Sequence, residues 1–568
     1  MRRRNKAGRD VGDPTQGDTI IRPPNGAPLA DRSDLADGEI GQLKRLLNDM
    51  TGGDSGKRPR SRSGGGSRTI GLASVAALAL AVCFPFRHAV YGLGDEGILL
   101  RGGAEMLAGK KLYTDFFEFY PPGGLLITQA WLWVFGHSFA AARALAIVSI
   151  VGASCFAYLA CAAVSESVLL PAGLVGIWLV TSQGRWTIVD HHWFTTCFSM
   201  LAAWLSFAGM REPKPGPRTA FLAGLASGAA AMVTPTRGAL ATLAAVGSFV
   251  DFRDRKVQLA GCIVGVAVVP VLCLAYIVAN GELAAAYADI IAFPATSYSG
   301  IQGVRFAAEA TGPTLALALL YPLAPILPLI VIARYGRGVL EDRLFRSCLL
   351  FAAAGFIGAF PRPDIVHIAF TAPLALPLLA YCTSRITKDW KARFVYATGT
   401  IALALCLPAA LSYLHDARAA WMTPTSATAA GPISFIGDPD APGIFAWIEK
   451  TPRADAFLFY PYMPLAPFIA QRRHVSRYDM FVPEYTPPNQ YADACATANA
   501  RATWLVLDRT GMDPATIRAV FPAVRNPNPP EKMAFERAIK GDFALVASLG
   551  RYEIRERVTP PPVQPCGG

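Results

Sequence analysis

Of the 568 residues, 52% are hydrophobic and only 17% are charged, against roughly 25% charged residues in an ordinary soluble domain. The apolar residues gather in blocks near the ~20 residues that a helix needs to cross about 30 Å of hydrocarbon. A purely soluble enzyme is excluded, and a polytopic α-helical membrane protein is expected. The formal charge of +12 comes without basic and aromatic stripes, zinc-finger spacings or RNP-like signatures, so no nucleic acid is expected as a partner. An excess of Lys and Arg reads first as membrane orientation.

In chain order, residues 1–68 are rich in Arg, Asp, Gly, Pro and Ser and read as a disordered basic cytoplasmic tail. Within it, Leu35, Ile40, Leu43, Leu47 and Met50 follow Ser33 at the spacing of one short amphipathic helix on the membrane surface. The first apolar block starts too late for a cleavable signal peptide. A transmembrane domain is expected over 69–414, with eleven spans at about 69–86, 138–163, 168–183, 192–208, 219–233, 238–250, 257–279, 311–333, 345–360, 365–383 and 394–414.

Four connecting loops concentrate positive charge, around Arg211 and Arg218, Arg253 to Lys256, Arg334 to Arg346, and Arg385 to Arg393. All four are expected to be cytoplasmic. The short apolar segment 121–136 would reverse every later loop if it crossed the membrane, so it reads as an interfacial or re-entrant helix. The first outer loop, 87–137, and everything after 414 then face outward, across an inner (plasma) membrane whose cytoplasmic side holds the N-terminus.

Residues 415–568 return to soluble composition and read as a small periplasmic α/β domain, with strands at 456–460 and 503–507 and a helix at 513–521. Nine of the eleven cysteines lie in apolar blocks, where a thiol acts as a small hydrophobe. Cys495 and Cys566 lie in polar sequence and can pair if their compartment is oxidising.

Gly92 to Gly97 has the form G-x-G-x-x-G. No βαβ strand precedes it, and two of its variable positions, Asp95 and Glu96, would repel a pyrophosphate, so a dinucleotide site is rejected. Those two carboxylates follow a membrane span directly, and Asp115 and Glu118 follow among aromatics. Acids at a bilayer surface are costly enough to need a reason. Solvated helix capping serves for Glu96 equally well. Asp190, His191 and His192 open another span. Consecutive helical residues project about 100° apart, unlike the i, i+4 pair of a zinc helix, so no cofactor is expected, and elemental analysis for a divalent metal is the check. Asp438 and Asp440 read as a turn.

From His88 onward, the runs Gly-Asp-Glu (94–96), Leu-Ala-Gly-Lys-Lys-Leu-Tyr-Thr-Asp-Phe-Phe (107–117), Tyr-Pro-Pro-Gly (120–123), Phe-Gly-His-Ser (135–138) and Arg143 resemble the bacterial relatives of the protein O-mannosyltransferases and the lipid A aminoarabinose transferases. These are GT-C glycosyltransferases. The resemblance is good over 95–143, looser to 414 and absent from 1–68. It implies a membrane enzyme that moves a sugar from a polyprenyl-phosphate donor to an extracytoplasmic glycan, lipid or protein acceptor among the membrane lipids, without a nucleotide-sugar domain.

On that resemblance Asp95 is the catalytic base, with Glu96 beside it, and Asp190 is a second acid, a helix N-cap being an equal role for it. Arg362 and His367, with Lys111, would hold the donor phosphate. Asp115, Tyr120 and His191 would contact the acceptor or sugar. Where the aminoarabinose branch has a Lys before the Pro pair, this chain has Tyr120, which argues against an aminoarabinose substrate. The rival from another class is a polyprenyl-lipid or solute transporter, against which stands the lack of a hydropathy repeat or paired broken helices. A catalytically silent scaffold of the same fold is a third reading.

Overall fold

The computed structural model describes residues 63–558 except 183–185, 212–215, 251–255, 309 and 389–391. The amphipathic helix expected near 33–50, and Cys566, lie outside the described residues. From Gly66 onward the chain forms one compact unit.

Helices occupy the place of every predicted span: α1 (Ser63–Cys83), α4 (Phe139–Val164), α5 (Leu169–Ser182), α6 (His191–Arg211), α7 (Pro217–Val233), α8 (Pro235–Val250), α9 (Lys256–Ala279), α10 (Leu315–Tyr335), α11 (Arg343–Gly358), the broken pair α12 (Ile365–Thr371) and α13 (Leu376–Thr387), and α14 (Ala392–Met422). In the first outer loop lie α2 (Glu96–Leu107) and α3 (Pro122–Phe135). Among the described residues, six helices are both long and apolar enough to cross a bilayer: Gly66–Phe86, Phe139–Val164, His191–Arg211, Lys256–Ala279, Ile365–Thr387 and Gly399–Met422. Helices α5 and α10 are apolar but shorter by that measure. Helices α7, α8 and α11 have 17, 16 and 16 residues, about 24–26 Å at 1.5 Å per residue. The segment expected to be interfacial is α3, 14 residues ending at Gly136 with φ 87°.

Hydropathy alone overlooks why such short helices are packed so tightly. A Cβ on Gly224 of α7 would lie 2.0 Å from the Cys262 carbonyl oxygen of α9, and one on Gly265 would lie 2.1 Å from the carbonyl oxygen of Phe221. Small residues let these backbones touch, the way helices associate where hydrocarbon offers no hydrophobic drive.

Helix α14 runs eight residues past the expected end of the membrane domain, to Met422. The tail that follows carries β2 (Ser426–Thr428), β3 (Gly431–Phe435), α15 (Ala441–Ile448), β4 (Ala456–Tyr460), α16 (Leu465–Ala470), β5 (Arg473–His474), α17 (Pro488–Arg501), β6 (Trp504–Asp508), α18 (Pro530–Asp542), β7 (Phe543–Leu549) and β8 (Tyr552–Arg557). A five-stranded sheet has the order β5-β4-β6-β8-β7, parallel on one side of β6 and antiparallel on the other. The expected strands are β4 and β6, and the expected helix is Pro514–Val520, capped by the Asp513 carboxylate.

The tail is welded to the first outer loop. Strand β1 (Ala89–Val90) pairs parallel with β3, Ala89 opposite Ser434 and Val90 opposite Phe435. Leu93, Leu99 and Leu100 share one buried core with Ile433, Phe457, Phe459 and Leu465. Cys495 is buried and disulfide-bonded.

Candidate active site

The site begins where this weld brings α2 against α16. The Leu465 N–H donates to the Leu93 carbonyl at 2.9 Å, and a Cβ on Gly97 would lie 1.9 Å from the Leu465 nitrogen. A Cβ on Gly94 would lie 2.9 Å from the Tyr462 ring. Gly94 and Gly97 are therefore explained by close approach of the tail, where a Cβ would collide, while Gly92 faces open space.

That approach fixes two neighbouring carboxylates differently. Asp95 is exposed at the head of α2 and accepts a hydrogen bond from the Tyr462 hydroxyl of the tail. Glu96 turns inward, is 5% exposed, pairs with Arg143 of α4, and accepts from the Val189 N–H at 3.0 Å. Arg143 also donates to the Ala89 carbonyl and lies over the Phe139 ring. Every charge in this group has a partner, so Glu96 fastens α2 to α4 and to the loop before α6 instead of facing a substrate.

Val189 delivers Asp190 to the head of α6, where its carboxylate accepts from the His192 N–H at 2.7 Å. The capping role anticipated for it is thus filled. Burial pushes the Asp190 carboxyl up to about 7; the His192 N–H and Arg237 oppose this and the charge of Asp95 adds to it. Two acids from distant parts of the sequence thus act on each other electrostatically.

Beside them a row of rings begins with Tyr120, which lies 4.1 Å from His191 between centroids; His191 is 3.8 Å from His192, and His192 is 5.1 Å from His367. An Arg237 Nη lies 2.8 Å from His192 Nδ1. A guanidinium only donates, so His192 is neutral and carries its proton on Nε2. Arg237 also donates through Nε to the Gly358 carbonyl at 3.0 Å. His367 Nδ1 lies 2.6 Å from Asp364, whose other oxygen accepts from Arg362 Nε at 2.8 Å. Burial would raise the Asp364 carboxyl, but the His367 hydrogen bond and the charges of His367 and Arg362 hold it below its ordinary value.

Tyr298 feels the charge of four of these groups. Burial pushes its hydroxyl up to about 12, while Arg362 and Arg237 pull it down and Asp95 and Asp190 push it up. Phe119, Phe293 and Tyr485 continue an aromatic wall, with Phe119 4.7 Å from Tyr298 and Phe293 5.0 Å from Tyr485 between centroids.

Of the residues singled out from sequence, Asp95, Asp190, Tyr120, His191, Arg362 and His367 come together. Lys111 and Asp115 do not. The Lys111 N–H closes a surface turn on Asp115 at 2.7 Å, and its ammonium donates to the Asn280 carbonyl at 3.3 Å. Tyr462, Tyr298, Asp364 and Arg237 are not among the residues singled out from sequence.

Among the described residues, Asp190, His191 and His192 form the one group with metal-ligand atoms within 4.8 Å of one another. The Arg237 guanidinium on His192 and the Thr234 hydroxyl 3.1 Å from His191 Nδ1 occupy one nitrogen of each ring and set a positive charge against any cation there.

No protein-family model and no curated protein matches the chain. Solved structures do. The crystal structure of ArnT from Cupriavidus metallidurans bound to undecaprenyl phosphate matches at TM-score 0.50 and 14% identity, over 87% of this chain and 99% of that one. Its apo state matches at 0.51 and 13%, over 86% and 98%. The chain has a GT-C fold. The arabinofuranosyltransferase AftD from Mycobacteria also matches, at 0.44 and 15%, over 86% of this chain and 40% of that one. The GT-C fold and the six long apolar helices together make this a multi-pass membrane protein.

Proposed function

We propose that this GT-C protein is a membrane glycosyltransferase that moves a sugar from a polyprenyl-phosphate donor to an extracytoplasmic acceptor hydroxyl. The observation that carries the reading is the contact chain that joins Asp190 through His192 to Arg237, and His192 through His367 and Asp364 to Arg362, with the charge of Asp95 felt by Asp190. Acceptor activation needs a carboxylate, and release of a lipid phosphate needs fixed cations. A GT-C relative, ArnT, was crystallised with undecaprenyl phosphate, which supports a lipid phosphate as the donor's leaving group.

In this mechanism Arg237 and Arg362 hold the donor phosphate, each as a planar guanidinium suited to two phosphate oxygens. Asp95 takes the proton of the acceptor hydroxyl as that oxygen attacks the anomeric carbon. The bond from that carbon to the phosphate oxygen breaks, and the phosphate leaves with its electron pair. Such a positioned base contributes about 10² to 10⁴-fold. The wall of Phe119, Tyr298 and Tyr485 offers ring faces to the sugar. Eleven spans, with the site outside and the N-terminus inside, complete the reading.

The test supplies membranes containing the protein with a panel of polyprenyl-phosphate sugars and follows envelope glycans and lipids by mass spectrometry. The expected result is covalent transfer that Asp95→Asn reduces at least a hundredfold in correctly inserted protein. Movement of labelled lipid with no new glycoside would mark a transporter instead.

A further inference from the structure

A small cavity of about 20 Å³ adjoins the proposed base. Ile98 forms one side of it and stands three residues after Asp95 at the head of α2, a rise of about 4.5 Å. Met480 forms another side and pairs across a β-bridge with Tyr462, whose hydroxyl bonds Asp95. Phe119 and Tyr485 of the aromatic wall close a third side, and Glu118 and Asp479 supply the polar surface. The first outer loop and the tail build the cavity jointly, joined beside it by the Phe117 N–H on the Arg477 carbonyl at 3.0 Å.

Volume limits what can enter. A water-sized group needs about 10–15 Å³ of such space, so the cavity admits one hydroxyl and excludes a whole sugar ring. Charge then selects the chemistry. Asp479 is ion-paired with Arg101, which is 2% exposed. The buried Glu118 accepts the Phe119 and Tyr120 N–H groups on Oε1. Burial is the main cause that lifts its carboxyl to about 8, so at neutral pH it is uncharged and Oε2 carries the proton it can donate. With one acid neutral and the other paired, neither a cation nor an anion finds a free counter-charge here. A protonated carboxyl beside a carboxylate suits a group that both accepts and donates, which a hydroxyl does.

The acceptor's reacting hydroxyl must stand at Asp95, so a second hydroxyl in this cavity belongs to the same molecule, a few ångströms away. Two hydroxyls that close, beside ring faces for an apolar sugar face to lie on, describe a carbohydrate. We propose that the cavity is an acceptor subsite for a hydroxyl on the carbon next to the reacting one, which makes the acceptor a glycan and not a protein side chain, a phosphate or a lipid alcohol. The proposal rests on the sugar-transfer reading and narrows it. A site built to hydrogen-bond a substrate hydroxyl rejects molecules that lack it.

Membranes containing the full chain, given radiolabelled sugars of the same polyprenyl-phosphate panel, test this through the linkage of the product, read by methylation analysis and mass spectrometry. The label is expected on a ring carbon of a sugar whose neighbouring carbon keeps a free hydroxyl. Ile98→Phe, which fills the cavity and leaves both acids in place, should lower transfer at saturating donor at least tenfold with KM for the donor unchanged. Glu118→Leu should do the same, and Ile98→Phe decides alone if that variant fails to fold. A cavity that holds water only would leave Ile98→Phe at the wild-type rate and overturn the proposal. Label on a serine or threonine, on a phosphate or on a lipid alcohol would overturn it too, with the transferase reading left standing. No label on any product removes that reading and the proposal with it.

Discussion

The Tyr462 hydroxyl, carried by the tail, donates its hydrogen bond to Asp95, carried by the first outer loop, from 367 residues away in sequence. Burial, and then the negative charge of Asp95 itself, holds the phenol far above its ordinary range, so Tyr462 stays protonated and keeps donating. It touches the proposed base and no reacting atom, which makes it a positioning residue. Tyr462→Phe removes a hydrogen bond to a charged group, ordinarily about 1.5–3 kcal/mol. Steady-state kinetics should show kcat lower by about ten- to a hundredfold with KM for the donor nearly unchanged, a smaller loss than the hundredfold or more expected of Asp95→Asn. A Tyr462→Phe enzyme with native kcat would remove the tail from the catalytic arrangement.

Asp190 gives the site a pH dependence with a definite sign. Its carboxyl is raised to about 7 by burial first and by Asp95 among the other causes, so it is largely protonated below 7 and ionised above. Ionisation adds a second negative charge to a site that must hold a phosphate, at a distance where the protein screens weakly. KM for the donor is therefore expected to rise on the order of tenfold between about pH 6 and pH 8. Asp190→Asn, neutral throughout, should keep the low KM across that interval. Initial rates at varied donor concentration decide this, and an identical pH profile in the variant would exclude Asp190 as the cause.

The extent to which the sequence foretold all this follows from the range of each interaction. Helix positions were legible because apolar blocks, like the Asp-Pro start of the tail helix at 513, are local signals. Asp95 and Asp190 were legible because acids beside membrane spans are costly and because 95–143 resembles a known family. Tyr462 was not, since a tyrosine in a soluble-looking tail carries no mark of an aspartate hundreds of residues upstream. Lys111 stands apart for the same reason, because a cation in the first outer loop carries no mark of the direction in which it points. Glu96 looked like a partner of Asp95, but one step along a helix turns the side chain by about 100°, and that step buries it against Arg143.

That burial makes a prediction about stability. Removing one partner of a buried ion pair leaves an unpaired charge in an apolar setting, at about 3–5 kcal/mol, whereas replacing both is far milder. Glu96→Gln and Arg143→Met should each lower the thermal midpoint of the detergent-solubilised protein strongly. The combined variant should recover much of the loss, giving a large coupling in the double-mutant cycle. Additive losses would mean that the two side chains act independently.

Glu118 sets a second pH response, in stability. Its carboxyl is 5% exposed and accepts the Phe119 and Tyr120 N–H groups at 2.9 and 3.2 Å. Burial first, then the charges of Asp479 and Asp289, raise it from 4.5 to about 8 against the pull of those two bonds. An acid raised on folding is held protonated by the folded state, so its contribution is complete below about 4.5 and is lost as pH rises through about 8. A shift of that size corresponds to several kcal/mol. The thermal midpoint of the wild-type protein should fall between pH 5 and pH 8.5. Glu118→Gln, which keeps the shape and an acceptor oxygen for both N–H groups, should flatten most of that slope; an unchanged slope would assign the proton to another group.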